Sequence, residues 1–77
     1  MKFAIGQQFK SKHTDFIREI KVMNNHRNGL QLTLKMVAYT KPDDKKLAQR
    51  LIDQQPPLVI FADEFQKLVD KGTYILS

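Results

Sequence analysis

The stretch Leu30-Gln31-Leu32-Thr33-Leu34-Lys35-Met36-Val37-Ala38 decides the fold. Leu30, Leu32, Leu34, Met36 and Ala38 alternate with Gln31, Thr33, Lys35 and Val37, so an extended strand here has one dry face and one mostly wet face. A slip of one residue would put all five apolar side chains in water. This strand therefore sets the register of its sheet and reads as the central or second strand. Immediately before it, Asn24-Asn25-His26-Arg27-Asn28-Gly29 supplies residues that tolerate positive φ, which predicts a hairpin loop closed by Asn28-Gly29. The partner strand is then Phe16 to Met23. Phe16, Arg18, Ile20 and Val22 share one of its faces, and Ile17, Glu19, Lys21 and Met23 share the other, so apolar residues occur on both. Further back, Lys10 to His13 reads as a basic loop. Lys2 to Phe9 reads as a short irregular strand, with Gly6 as a bend or bulge.

Downstream, Thr40-Lys41-Pro42-Asp43 has the spacing of a capping box, with Pro42 tolerated in the first helical turn and Asp43 and Asp44 placed at the positive end of the dipole. Leu47, Ala48, Leu51 and Ile52 form the apolar stripe of that helix, which ends before Pro56-Pro57. Leu58 to Phe61 is a continuous apolar run, the pattern of a strand covered on both faces and therefore interior. Asp63 can cap a second short helix carrying Phe65, Leu68 and Val69, stopped by Gly72 in a left-handed conformation. Thr73 to Leu76 closes the chain as a strand. The order β-β-β-α-β-α-β predicts a single α+β domain over residues 1–77, a small, mainly antiparallel sheet with two helices on one face. An SH3-like partial barrel with a helical insertion is the alternative.

Composition narrows the function classes. A chain of 77 residues buries only about 60% of its unfolded surface, so any function must sit on the outside. With 42% apolar and 27% charged residues, the composition is that of a folded domain rather than a disordered one. The absence of cysteine removes disulfides, thiolate metal sites and thiol nucleophiles together. The longest strictly apolar run, Leu58 to Ala62, is far short of a membrane span, and the opening MKFAIGQQFK has no apolar core of a secretion signal. The expectation is a soluble, cytoplasmic protein with no membrane partner.

No constellation points to catalysis. His13 and His26 fall in predicted loops beside Lys12, Arg27 and asparagines, surroundings that disfavour a metal ion and offer no orienting carboxylate for a general base. The Asp43-Asp44 pair is accounted for by the helix dipole. Gly6, Gly29 and Gly72 are too far apart to form a phosphate-cradling loop. The expectation is a non-enzymatic chain without a metal or cofactor. The two helical stripes read as core, because a chain this short has few apolar residues to spare.

Charge is the informative feature. The net charge is +5, and all of the surplus falls before Met36. Lys2, Lys10, Lys12, Arg18, Lys21, Arg27 and Lys35 stand there against only Asp15 and Glu19, while the remainder of the chain is balanced. A one-sided field steers and binds polyanions. Lys10, Lys12, Lys21, Arg27 and Lys35 are therefore the candidate nucleic-acid-binding residues. Lys21 and Lys35 are expected in one patch on adjacent strands, with Asn24, Asn25 and Gln31 as hydrogen-bonding neighbours. An aromatic stacking platform is missing from this reading, since Phe3, Phe9 and Phe16 read as core and only Tyr39 lies near the sheet surface.

In size, in its lack of cysteine and in the ending Phe65 … Gly72-Thr73-Tyr74-Ile75-Leu76, the chain resembles small accessory proteins encoded by phages and other mobile elements, some of which have partial-barrel folds. The resemblance rests on no diagnostic motif and assigns no residue a role. It implies a protein-binding regulator or host-directed inhibitor, and the second reading is accordingly a small adaptor or inhibitor that binds an acidic protein, or a homodimer formed through a sheet edge.

Overall fold

The computed structural model describes residues 2–39 and 45–77. The capping box expected at Thr40 to Asp43, and the dipole role of Asp43 and Asp44, lie outside the described residues. Five strands and two helices follow in the expected order: β1 (Gln8–Ser11), β2 (Phe16–His26), β3 (Gly29–Tyr39), α1 (Lys45–Gln54), β4 (Leu58–Phe61), α2 (Ala62–Asp70) and β5 (Tyr74–Leu76). The strands form one sheet in the order β4-β3-β2-β1-β5, with every neighbouring pair antiparallel. Among the described residues β4 and β5 do not pair with each other. The sheet therefore stays open, and the α+β layer forms in place of an SH3-like barrel.

The alternation read from β3 forms from Leu30 to Met36; beyond it Val37 is an extra residue with no partner on β2, and Ala38 pairs with Ile17 in the row of Lys10, on the opposite face of the strand. Three cross-strand rows line its inner face: Phe9–Arg18–Met36, Ile20–Leu34–Leu58 and Met23–Leu32–Ile60. Phe9, Ile20, Leu32, Leu34 and Met36 are buried. The ambiguity of β2, apolar on both faces, is resolved by two irregularities in the β2–β3 ladder, one between Ile17 and Arg18 and one between Ile20 and Val22. At the second, Lys21 is an extra residue with no partner on β3. A bulge of this kind shifts the in-out parity of the strand, so Ile20 and Met23, three apart, both face inward. Met23 thus belongs with Ile20, not on the opposite face, and Val22 points outward.

The core is closed by α2 and by the segment before β1. Phe65 of α2 is fully buried, and its ring lies 5.5 Å from Phe3, 5.0 Å from Phe9 and 5.2 Å from Tyr74, the first two edge-on. Leu68 and Val69 pack beside it. The helix starts directly at the end of β4 without a side-chain cap, so Asp63 lies in its first turn instead of at its cap position. Its C-terminus stops as expected: Gly72 has φ +79°, its N–H donates to the Val69 carbonyl, and the Thr73 N–H donates to that of Leu68, the paired bonds of a Schellman turn. In contrast α1, among the described elements, runs against β3 alone, and its stripe is only half-buried, with Leu47 46% exposed.

Two further expectations are corrected. The hairpin loop is shorter than 24–29, because His26 still pairs with Gly29 and only Arg27 and Asn28 make the turn. And β4 is an edge strand with one open face: Leu58 and Ile60 pack on the core, while Val59 is 52% exposed.

Candidate nucleic-acid interface

Opposite the helix α2, the sheet has an outer face on which the polar and cationic residues of the hairpin collect. Its cross-strand rows are Gln8–Glu19–Lys35, then Val22–Thr33–Val59, then Asn24–Gln31–Phe61. Lys21 and Lys35 are both neighbours of Glu19. Lys35 stands directly across from Glu19 on β3, while the Lys21 ammonium, displaced by the bulge, lies 2.6 Å from the Glu19 carboxylate. Gln8 donates to the other carboxylate oxygen at 2.9 Å. The hydrogen bond from Lys21, and then that from Gln8, hold the Glu19 carboxyl below its ordinary value.

The other candidates are distributed along the sheet. Lys10 lies on β1 in the next row, opposite Ile17, with its ammonium 4.0 Å from Asp15. Lys12 is exposed in the turn that follows β1. Arg27 is exposed in the hairpin turn, at the other end of β2. The eleven residues of β2 separate Lys12 from Arg27 by about 35 Å at the rise of an extended strand, in keeping with a molecule 41 Å along its longest axis. Lys12, Arg27 and Lys35 form no ion pair with a described residue. The five cations therefore do not make a compact patch. They make a line along the hairpin, with Lys21 and Lys10 tethered to carboxylates and three charges left available. Arg18, counted in the basic surplus, is turned inward between Phe9 and Met36.

Two rings at the hairpin end belong to this face, Phe61, which the sequence places in the interior, and His26, which it places in the hairpin loop beside Arg27. Phe61 ends β4 in the row of Gln31 and Asn24, and the His26 ring stands 5.5 Å from it at 61°. Unlike its neighbours Leu58, Ile60 and Ala62, Phe61 takes no part in the core cluster. It was concealed in a run that reads as interior, and His26 in a stretch that reads as loop. The Pro56-Pro57 pair was the available signal, since prolines mark edge strands. Tyr39, the expected exposed ring, is half-buried with its centroid 4.5 Å from that of Phe16.

Elsewhere, a cavity of about 620 Å³ opens on the helix-bearing side, with Phe3, Met23 and Leu30 in its wall and Lys2 facing the same space as Asp63. Among the described residues no group of three or more His, Asp or Glu side chains could hold a metal ion, and no helix is long and apolar enough to cross a membrane. No family model, no curated protein and no solved structure matches the chain.

Proposed function

We propose that this protein is a non-enzymatic nucleic-acid-binding module whose outer sheet face receives the polyanion along the length of the β2–β3 hairpin. The observation that carries this reading is the linear placement of Lys12, Lys35 and Arg27, none of them ion-paired with a described residue, over a distance that a phosphodiester backbone can follow. Amide side chains at Asn24 and Gln31 sit between the charges on the same face, where they can bond to phosphate or sugar oxygens without reading sequence. Neutralised phosphates release condensed counterions, so affinity must fall steeply with salt. The test is fluorescence anisotropy with labelled oligonucleotides across ionic strength. Steep weakening that is lost in Lys35→Glu combined with Arg27→Glu supports the reading, and unchanged affinity in that variant overturns it.

A second reading, an adaptor or inhibitor with a protein partner or a homodimer, is favoured by one observation. The edge strand β5 leaves Ile75 54% and Leu76 51% exposed beside unpaired backbone, a template for strand addition. Sedimentation of the purified protein separates the homodimer from the first reading, which requires no second chain.

A further inference from the structure

We infer that the open face is built for a single strand and not for a duplex, with a base seated against the His26–Phe61 ring pair; this rests on the nucleic-acid reading above. The placement of Phe61 is the starting point. Burying a phenylalanine is among the most favourable acts open to a small domain, yet this one is only half-buried and lies on the face away from Phe3, Phe9 and Phe65. Beside it the next row adds Val22, 42% exposed, and Val59, 52% exposed. The result is an apolar step across β2, β3 and β4, with the amides of Asn24 and Gln31 beside Phe61 and the Gln8–Glu19–Lys35 row on its other side; a second apolar row, Ile75, Ile17 and Ala38 around Lys10, lies farther along the face.

A duplex presents phosphates and sugars outward and keeps its bases stacked, so a sheet face laid against it would leave the ring pair and the valines facing charge. An unpaired strand presents flat apolar base surfaces that cover such a step, and every base has a π face, so stacking needs no sequence. The cations bracket the rings in the way this occupant requires. Arg27 follows His26 directly at the turn, and Lys35 lies four residues along β3 from Gln31, about 13 Å at strand rise. Phosphates on either side of a seated base meet a charge at each end. His26 stands edge-on to Phe61 and accepts at Nδ1 from the Asn28 N–H, at 3.3 Å, a bond that orients the imidazole.

The experiment compares a labelled mixed-sequence single strand with the same strand annealed to its complement, at one salt concentration. It uses wild type, Phe61→Leu and His26→Ala, each first checked for an unchanged thermal transition. Phe61→Leu keeps an apolar side chain on the outer face, and His26→Ala removes an exposed ring together with its bond from the Asn28 N–H, so the two variants disturb the pair in different ways. The expected result is tighter binding of the single strand in wild type. At least one ring variant should then weaken single-strand binding about tenfold or more while duplex affinity and the salt slope stay as they were. Equal or tighter duplex binding overturns the inference, as does equal weakening of both forms or no effect of either variant. Those outcomes leave nucleic-acid binding standing, whereas absence of salt-sensitive binding to either form ends the parent reading as well. A dimer in sedimentation that shields Phe61 would also overturn it.

Discussion

At the scale of single residues, Glu19 is the side chain that most restrains the proposed interface, because it neutralises Lys21 and faces Lys35. Glu19→Gln should therefore strengthen oligonucleotide binding several-fold at low salt, measurable by anisotropy, since it removes the one carboxylate in that row and frees an ammonium. The same residue gives a pH dependence. Its carboxyl is held low in the folded state by Lys21 and then Gln8, so its contribution to stability is present above the unfolded value and is lost as pH falls through the folded value. Thermal melts from pH 6 down to pH 3 should show a smaller acid loss in Glu19→Gln than in wild type. Arg18 offers the opposite case. Its Nη1 is buried without a hydrogen-bond partner, in a row between two buried apolar side chains. Arg18→Met should raise stability by about 1 kcal/mol in urea denaturation, because an unsatisfied buried donor is removed and an apolar chain of similar length replaces it. Nothing in the spacing of β2 announces which way Arg18 points; only the position of the bulge decides it.

At the scale of elements, legibility followed periodicity. The strand β3 was readable from Leu30 to Met36 because its apolar residues alternate there without interruption, and the C-terminus of α2 because only glycine adopts the required backbone conformation cheaply. Gly72→Ala should accordingly cost about 1 kcal/mol in the same denaturation experiment, from strain at φ +79° and not from crowding, since the space around it is open. What could not be read was whichever feature depends on a neighbour. The run Leu58 to Phe61 has no polar residue to show which side is open, and a strand of four residues is too short for periodicity to separate an edge from a centre. Likewise the turn at Arg27-Asn28 lies one residue earlier than Asn-Gly preference suggests, with Gly29 carrying the positive φ as the first residue of β3. The candidate site shared this limit: its cations were visible as composition, but their arrangement as a line, and the ring pair that completes it, exist only once β4 is laid beside β3.

At the scale of the whole molecule, stability and binding make separate demands on a small chain. A domain of 77 residues has roughly 4–12 kcal/mol of stability in total, and the Phe3–Phe9–Phe65 cluster carries much of it. Phe65→Ala should cost about 3–5 kcal/mol, read as a lowered midpoint in urea denaturation followed by circular dichroism. The opposite face can be recharged without touching that cluster. With three free cations the slope of log affinity against log salt for a single strand should be near −2, and about −3.5 if Lys10 and Lys21 also let go of their acids. The Lys21 bulge has a bearing on the length of the chain itself. Since Lys21 has no partner on β3, a polypeptide lacking that one codon keeps every pair from Phe16–Tyr39 to His26–Gly29 and every in-out assignment. Loss of Thr33 instead would drive Lys35 into the interior or open the ladder. The hairpin thus tolerates shortening at one place on each strand, Lys21 on β2 and Val37 on β3, and its genetic freedom to drift in length is written into those two unpaired residues.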